Sequence, residues 1–291
     1  MDVGCPARLR TFILSTAPMS QTHDPRERRR PTTAVNRLAV GVVAALVVIG
    51  ACSTSEGVDE AVRQAAMLDP LNPAVWIPGG DVHTGSDDWD AEYPAGSPYS
   101  KVDEDPQRWT VEGFWLQTHE VTHAEYARFD STHVVPEGEA LRPVVDVTWP
   151  EAMAYARSLG GSLPSEVHWE YAARGAERRL YPWGDDEPDC RRAHYRECEP
   201  RTSLDVGSRP ADVTPEGVVD LAGNVREWVI PPWFDPARHP ANPDAMRLKG
   251  GSFAHPAFFL RAASVTNRLA AFQRFDNVGF RVAWGTGPLT R

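Results

Sequence analysis

The chain has 291 residues, a formal net charge of −10 and a hydrophobic content of 42%, which excludes a disordered polymer. Residues 1–51 hold seven arginines and three acids, which leaves 23 basic and 37 acidic residues beyond, or −14. So acidic a surface repels phosphates and excludes general nucleic-acid binding, while 26 prolines and 22 glycines favour many loops and short elements.

The N-terminal segment has the pattern of an export signal. Several arginines precede the apolar run 38–51, which is too short to span a bilayer but typical of a signal-peptide core. Ile49-Gly50-Ala51-Cys52 resembles a bacterial lipobox, in which the cysteine thiol receives lipid. We therefore expect a signal peptide at 1–51, with 1–18 as a start-site artefact, then a lipidated Cys52 and tether to residue 70. The alternative is an ordinary cleavable signal peptide.

This export signal predicts a cell-envelope protein, anchored through lipid on Cys52 to the outer membrane or another surface facing the periplasm.

Beyond the tether, Val75-Trp76-Ile77 followed by Pro78-Gly79-Gly80 predicts a strand that enters a turn. Residues 83–106 have loop composition, and Trp109–Thr118 predicts one extended run.

Three helices have start and stop signals. Thr122 and Glu125 form a capping box, which predicts a helix towards Phe129. The other two are expected at Glu151–Leu159, after Thr148 and before Gly160, and from Ser165 to Arg174, closed by Gly175. Residues 175–291 predict loops and short strands.

His119-Glu120-Val121-Thr122-His123 matches the His-Glu-x-x-His signature of zinc peptidases. That chemistry needs both imidazoles on one helical face and a third ligand. Here an extended run leads into the pentapeptide and Thr122 reads as a helix cap. The motif therefore straddles a strand–helix junction, which argues against zinc.

Cys190 and Cys198 lie in a polar loop of an exported chain, a context that favours a disulfide. The alternatives are two inert thiols, or a metal site for which His194 is the one obvious partner.

A series of landmarks resembles the formylglycine-generating-enzyme, or sulfatase-modifying-factor, family. In order they are Trp76–Gly80, Phe114-Trp115 with Glu120–Thr122, Pro143–Trp149, Leu163–Gly175, Tyr181–Gly184, Asp220–Trp228, Gly250–Phe253 with Arg261, and Val278–Arg281. The resemblance implies an α+β, irregular, loop-rich fold of C-type lectin type over residues 71–285, with a small antiparallel sheet, two or three helices and a tail at 286–291.

The resemblance also implies a calcium site. Calcium takes 6–8 oxygen ligands, and the matching positions supply the carboxylates of Asp220 and Glu227 and the carbonyls of Gly223 and Val225. The alternative is that Glu227 is a buried salt-bridge partner and Asp220 a turn cap. A further calcium site of the family is not expected, because His194 stands where an asparagine ligand belongs.

The enzymes of the family hold copper with two cysteines after the Gly-Gly-Ser turn, and Cu(I) selects thiolates. The matching positions here are His255 and Leu260, and no cysteine follows Cys198. The sequence therefore predicts no copper and no formylglycine reaction. Candidates for a rearranged catalytic site are Ser252, His255, Arg261 and His239.

Three functions follow. The favoured one is a non-catalytic binding or scaffold module on a membrane, with a protein, peptide or glycan ligand. Trp89, Trp109, Trp183 and Trp233 are candidates for its surface, although most are expected in the core. The alternatives are a metal-dependent oxidoreductase with a rearranged site, which requires His255 and a second histidine within one metal's reach, and a zinc peptidase through His119 and His123.

Overall fold

The computed structural model describes residues 64, 67, 69–86, 106–232, 246–287 and 289, without the side chains of 266–268. The predictions for the signal peptide, Cys52, Trp89, Trp233 and His239 lie outside the described residues. Within the described part, no helix has the length and apolarity needed to cross a membrane.

In the described residues, nine short strands build three small sheets. The strands are β1 (Ala74–Ile77), β2 (Gly80–Thr84), β3 (Gln107–Val111), β4 (Phe114–Gln117), β5 (Arg226–Val229), β6 (Met246–Lys249), β7 (Val265–Leu269), β8 (Val278–Gly279) and β9 (Ala283–Trp284). The sheets have the orders β1-β4-β9, β2-β3 and β7-β6-β5-β8. All pairs are antiparallel except β5 with β8. Small, largely antiparallel sheets in a loop-rich chain agree with the predicted fold class.

Three helices lie where the capping signals predict them: α1 (His123–Phe129), α2 (Trp149–Ser158) and α3 (Glu166–Arg174). The first two have complete capping boxes, from Thr122 and Thr148. Gly175 closes α3 at a φ of 63°, a conformation that glycine adopts without steric cost.

The predicted extended run Trp109–Thr118 is wrong in one respect. The extended conformation is interrupted between β3 and β4, and the two strands join different sheets. The backbone between the two strands passes beneath Trp76, where a Cβ on Gly113 would lie 2.2 Å from the indole ring. Only glycine allows this close approach, so the break depends on Gly113.

Three tryptophans anchor the core and are at most 2% exposed: Trp169, Trp228 and Trp284. The Trp228 indole donates to the Val147 carbonyl at 3.0 Å, and the Trp284 indole to that of Leu159 at 2.9 Å. Buried aromatic rings supply much of a core's apolar area, and these bonds satisfy their polar edges. Met67 packs against the same core, so the folded part begins before residue 71.

Of the four candidate surface tryptophans the structure describes Trp109 and Trp183, and Trp109 lies in the core, where most of the four were expected. Trp109 is buried and donates to the Thr84 hydroxyl at 3.2 Å, while Trp183 stacks on Tyr181. The surface pair is Trp76 and Trp115, which face each other across β1 and β4 with ring centroids 5.4 Å apart.

Candidate functional site

The predicted disulfide between Cys190 and Cys198 is present. The loop that this disulfide closes contacts the two segments of the candidate site, which are Asp220–Glu227 and the turn at Ser252. The His194 carbonyl accepts a hydrogen bond from the Asn224 amide at 2.8 Å, and the Arg196 amide donates to the His255 carbonyl at 3.0 Å. The crosslinked loop therefore fixes the Asp220–Glu227 segment and the turn at Ser252 relative to each other.

The segment after Asp220 is a tight turn with unusual backbone angles. Asp220 and Asn224 have positive φ values of 58° and 52°, and Gly223 has 128°. A Cβ on Gly223 would lie 2.5 Å from the His194 carbonyl oxygen. Strained backbone persists only where its surroundings hold it, and here the disulfide loop does so.

Four carboxylates are buried around one guanidinium. Glu120, Asp212, Asp220 and Glu227 are each at most 4% exposed, and Arg281 is fully buried. Arg281 Nε lies 3.0 and 2.9 Å from the two Glu227 oxygens, and Nη2 lies 2.8 Å from Oε1. Its remaining N–H groups donate to three backbone carbonyls. We call these five residues the acid cluster.

The Glu227 carboxylate is fully engaged by these contacts and by the Trp169 indole, which donates to Oε2 at 2.8 Å. Asp220 Oδ2 accepts the Gly207 amide. No group of three or more His, Cys, Asp or Glu side chains in the described ranges is arranged to hold a metal. In this arrangement Glu227 is a buried salt-bridge partner, and Asp220 accepts a backbone amide. Calcium binding through these residues, Gly223 and Val225 stays a prediction.

The acid cluster carries more carboxylates than its cation can neutralise. Burial, followed by the charge of Asp220, raises the pKa of Glu120 well above its ordinary value. Burial and Asp220 likewise raise the pKa of Asp212. Both Glu120 oxygens and Asp212 Oδ1 are buried without a hydrogen-bond partner in the described residues. Both carboxyl groups therefore hold their protons to higher pH than an exposed carboxyl does.

Ser252 and His255 are brought together at the Gly-Gly-Ser turn. Ser252 is fully buried, and its Oγ accepts from Asn277 Nδ2 at 3.0 Å and from the Ala254 amide at 3.2 Å. Its own hydrogen therefore points to His255 Nδ1, 2.6 Å away. Burial, then the charges of Arg226 and Arg196, lower the pKa of His255 to about 3. The result is a neutral imidazole with its proton on Nε2, whose Nδ1 accepts the hydrogen of the serine hydroxyl. This is the geometry of a general base, but the lowered pKa makes His255 a weak base for that serine.

Arg261, the third catalytic candidate, packs on the 3₁₀ helix Ala257–Leu260. Its guanidinium lies 4.2 Å from the Phe258 ring centroid, and its Nε donates to the Phe258 carbonyl at 3.3 Å. Leu260, at the second copper-cysteine position, is fully buried. Arg261 is 2% exposed and Phe259 5%, so these cationic and aromatic groups are packed inside the fold.

The His-Glu-x-x-His match does not form a zinc site. As predicted, it straddles a junction, because β4 ends at Gln117 and α1 begins at His123. The two His119 ring nitrogens lie 2.8 and 2.9 Å from the Glu120 and Leu71 carbonyls. His123 Nδ1 instead contacts His133 Nε2 at 2.9 Å. The two motif histidines therefore face different partners.

Sequence reasoning missed the acid cluster as a unit. Glu120 was visible inside the zinc-like motif, and Arg281 in the last family landmark. Asp212 carries no pattern of its own. One signal could have indicated the cluster: Glu120 and Arg281 both belong to family landmarks for which the sequence suggests no role at the surface.

The comparisons with known proteins agree with this architecture. A family model described as a sulfatase-modifying factor enzyme 1-like domain matches residues 59–286. Formylglycine-generating enzyme from Mus musculus is 26% identical over 73% of this chain and 75% of its own length. Inactive C-alpha-formylglycine-generating enzyme 2 from Bos taurus is 34% identical over 50% of this chain and 51% of its own length. This chain thus spans about half of that relative.

Among solved structures, PvdO from Pseudomonas aeruginosa superposes with a TM-score of 0.57 at 24% identity, covering 72% of this chain and 93% of that one. The match supports the fold, which is of the formylglycine-generating-enzyme and C-type lectin-like kind. With the family model covering most of the chain, this protein belongs to the sulfatase-modifying factor enzyme 1-like domain family.

Proposed function

We propose that the chain is a non-catalytic binding or scaffold module of an exported lipoprotein, held at the cell envelope by lipid on Cys52. The supporting observation is the chemistry at the Gly-Gly-Ser turn, where the family resemblance places two copper-binding cysteines. A buried leucine and a hydrogen-bonded histidine stand there. Leu260 has no donor atom, and Cu(I) needs soft ligands.

The state of His255 also supports recognition over redox catalysis. Its Nδ1 is used by Ser252, and its ring packs edge-on against Phe259 with centroids 5.2 Å apart. The Arg226 guanidinium lies 5.6 Å from the same Phe259 ring centroid. Arg226 and Phe259 are each 5% exposed, so the partly exposed His255 is the group among these three that a protein, peptide or glycan ligand can reach.

The names of the relatives are compatible both with a non-catalytic module and with an enzyme. The mouse relative is named an enzyme, whereas the bovine relative is named inactive. The oxidase alternative requires a second ligand that completes a redox site with His255. Its candidate His239 lies outside the described residues.

Metal analysis of the purified full-length protein tests the proposal. We expect copper, iron and zinc to be far below one equivalent per chain, because Leu260 cannot ligate them. The calcium content, read in the same measurement, tests the calcium prediction. One equivalent of copper or iron that is lost in His255→Ala would contradict the proposal and support the oxidase alternative.

A further inference from the structure

A cleft of about 380 Å³ lies between α1, α2 and the segment at Asp69, and the Gly-Gly-Ser turn contributes nothing to it. Its wall combines charged, phenolic and aromatic groups, from Asp69, Glu125, Arg128, Phe129 and Tyr155. The volume is at the lower end of that of small-molecule sites. No role in the proposed function uses this cleft.

Glu125 supplies a carboxylate oxygen that the fold does not use. The side chain is only 2% exposed. Its Oε2 accepts the Thr122 amide at 2.8 Å and the Thr122 hydroxyl at 2.7 Å, which completes the capping box of α1. Oε1 accepts no hydrogen bond from the described residues. One acceptor with negative charge therefore remains at the wall of the cleft.

Tyr155 supplies a second unused group. It is 3% exposed, and its hydroxyl has no hydrogen-bond partner within the described ranges. Burial, then Glu125, raises its pKa, with smaller effects of Arg128 and Asp69. All three of these charged groups line the cleft, which places the phenol oxygen among them. A hydroxyl at the wall of a cleft can form its hydrogen bonds with a ligand or with water.

The charge balance of the cleft is negative. Arg128 Nη2 is paired with Asp69 Oδ2 at 2.9 Å, and the Arg128 side chain is 51% exposed. That pair neutralises itself and leaves the Glu125 carboxylate in excess. Phe129, 41% exposed, adds an apolar face, and its ring meets that of Tyr155 edge-on at 5.5 Å.

We propose that this cleft binds an organic ammonium or guanidinium group on an apolar stem, whose nitrogen donates to Glu125 Oε1 and the Tyr155 hydroxyl. The stem lies against Phe129, whose ring also attracts the cation. A cation neutralises the excess charge of the Glu125 carboxylate. Its several N–H groups can donate hydrogen bonds to both Glu125 Oε1 and the Tyr155 hydroxyl oxygen. The site is independent of the proposed function, because its residues lie on α1 and α2.

Titration of the full-length protein with n-butylammonium, followed by calorimetry, tests the site. Glu125→Gln keeps the capping geometry but removes the charge, and Tyr155→Phe keeps the ring but removes the hydroxyl. We expect roughly tenfold weaker binding for Glu125→Gln and a several-fold loss for Tyr155→Phe. The neutral analogue 1-butanol should bind far more weakly than the amine.

The matched control is Glu151→Gln. Glu151 forms the same capping box with Thr148 on α2, but its Oε1 pairs with Arg274 at 2.6 Å. We expect this variant to bind n-butylammonium like the wild type. A second probe, N-acetyl-lysine methylamide, compares a peptide-borne ammonium with a free amine, and the tighter of the two identifies the source of the ligand. Absence of binding by both probes, or equal binding by wild type, Glu125→Gln and Tyr155→Phe, would overturn the proposal.

Discussion

Replacing Arg281 with methionine is expected to lower the free energy of unfolding by about 3–5 kcal/mol. Methionine keeps an unbranched apolar stem but removes the one guanidinium of the acid cluster. Glu227 then loses three hydrogen bonds and its counter-charge while remaining 1% exposed. Three backbone carbonyls lose their donors as well. Urea denaturation at neutral pH measures the loss.

Arg274→Met is the matched control for Arg281→Met. Arg274 also pairs with a glutamate, Glu151, but both side chains are at least 40% exposed. Solvent screens such a pair, so this variant should lose at most about 1 kcal/mol. Equal losses in the two variants would show that the buried guanidinium has no special role.

Glu120→Gln is expected to stabilise the protein at alkaline pH and to have little effect in acid. The ordinary pKa of this carboxyl is 4.5, and burial and Asp220 raise it in the folded chain. Between the unfolded and folded pKa values the folded state binds more protons, so the wild type loses stability as pH rises. Glutamine does not titrate and avoids this loss, so the variant should gain stability relative to the wild type as the pH rises. Thermal and urea unfolding at pH 4.5 and pH 8 measure the difference.

Glu112→Gln is the control for this prediction, since Glu112 is exposed and its variant should follow the wild type at both pH values. A raised pKa of Glu120 is contradicted if Glu120→Gln is destabilising at pH 8 relative to pH 4.5. The same experiment tests the calcium prediction. Calcium needs ionised carboxylates, so a bound ion would stabilise the wild type most strongly at pH 8.

Local signals explain how much of the fold could be predicted. The capping residues Thr122, Thr148 and Ser165 act on amides three positions away, so the sequence alone places α1, α2 and α3. The break at Gly113 was missed because it depends on Trp76, which belongs to another strand. Its cause lies in packing between distant segments.

The candidate sites divide in the same way. The Ser252–His255 contact spans three residues, and the sequence placed both side chains at one turn. The acid cluster joins Glu120, Asp212 and Arg281 from distant parts of the chain. Likewise, Glu125 was predicted correctly as a capping residue, but its second oxygen and Tyr155 meet only when α1 packs beside α2. Clusters of charged residues that form only through such packing leave no repeating pattern in the sequence, so the sequence alone does not predict them.

The measurement that most directly tests the absence of redox catalysis is an oxidation assay with a sulfatase-derived peptide thiol. The full-length protein is mixed with the peptide, Cu(I) and oxygen, and the peptide mass and oxygen uptake are followed. We expect the thiol to be consumed no faster than with copper alone and no aldehyde to form, because Leu260 and His255 replace the copper thiolates. Aldehyde formation in proportion to the protein, and its loss in His255→Ala, would contradict a non-catalytic module.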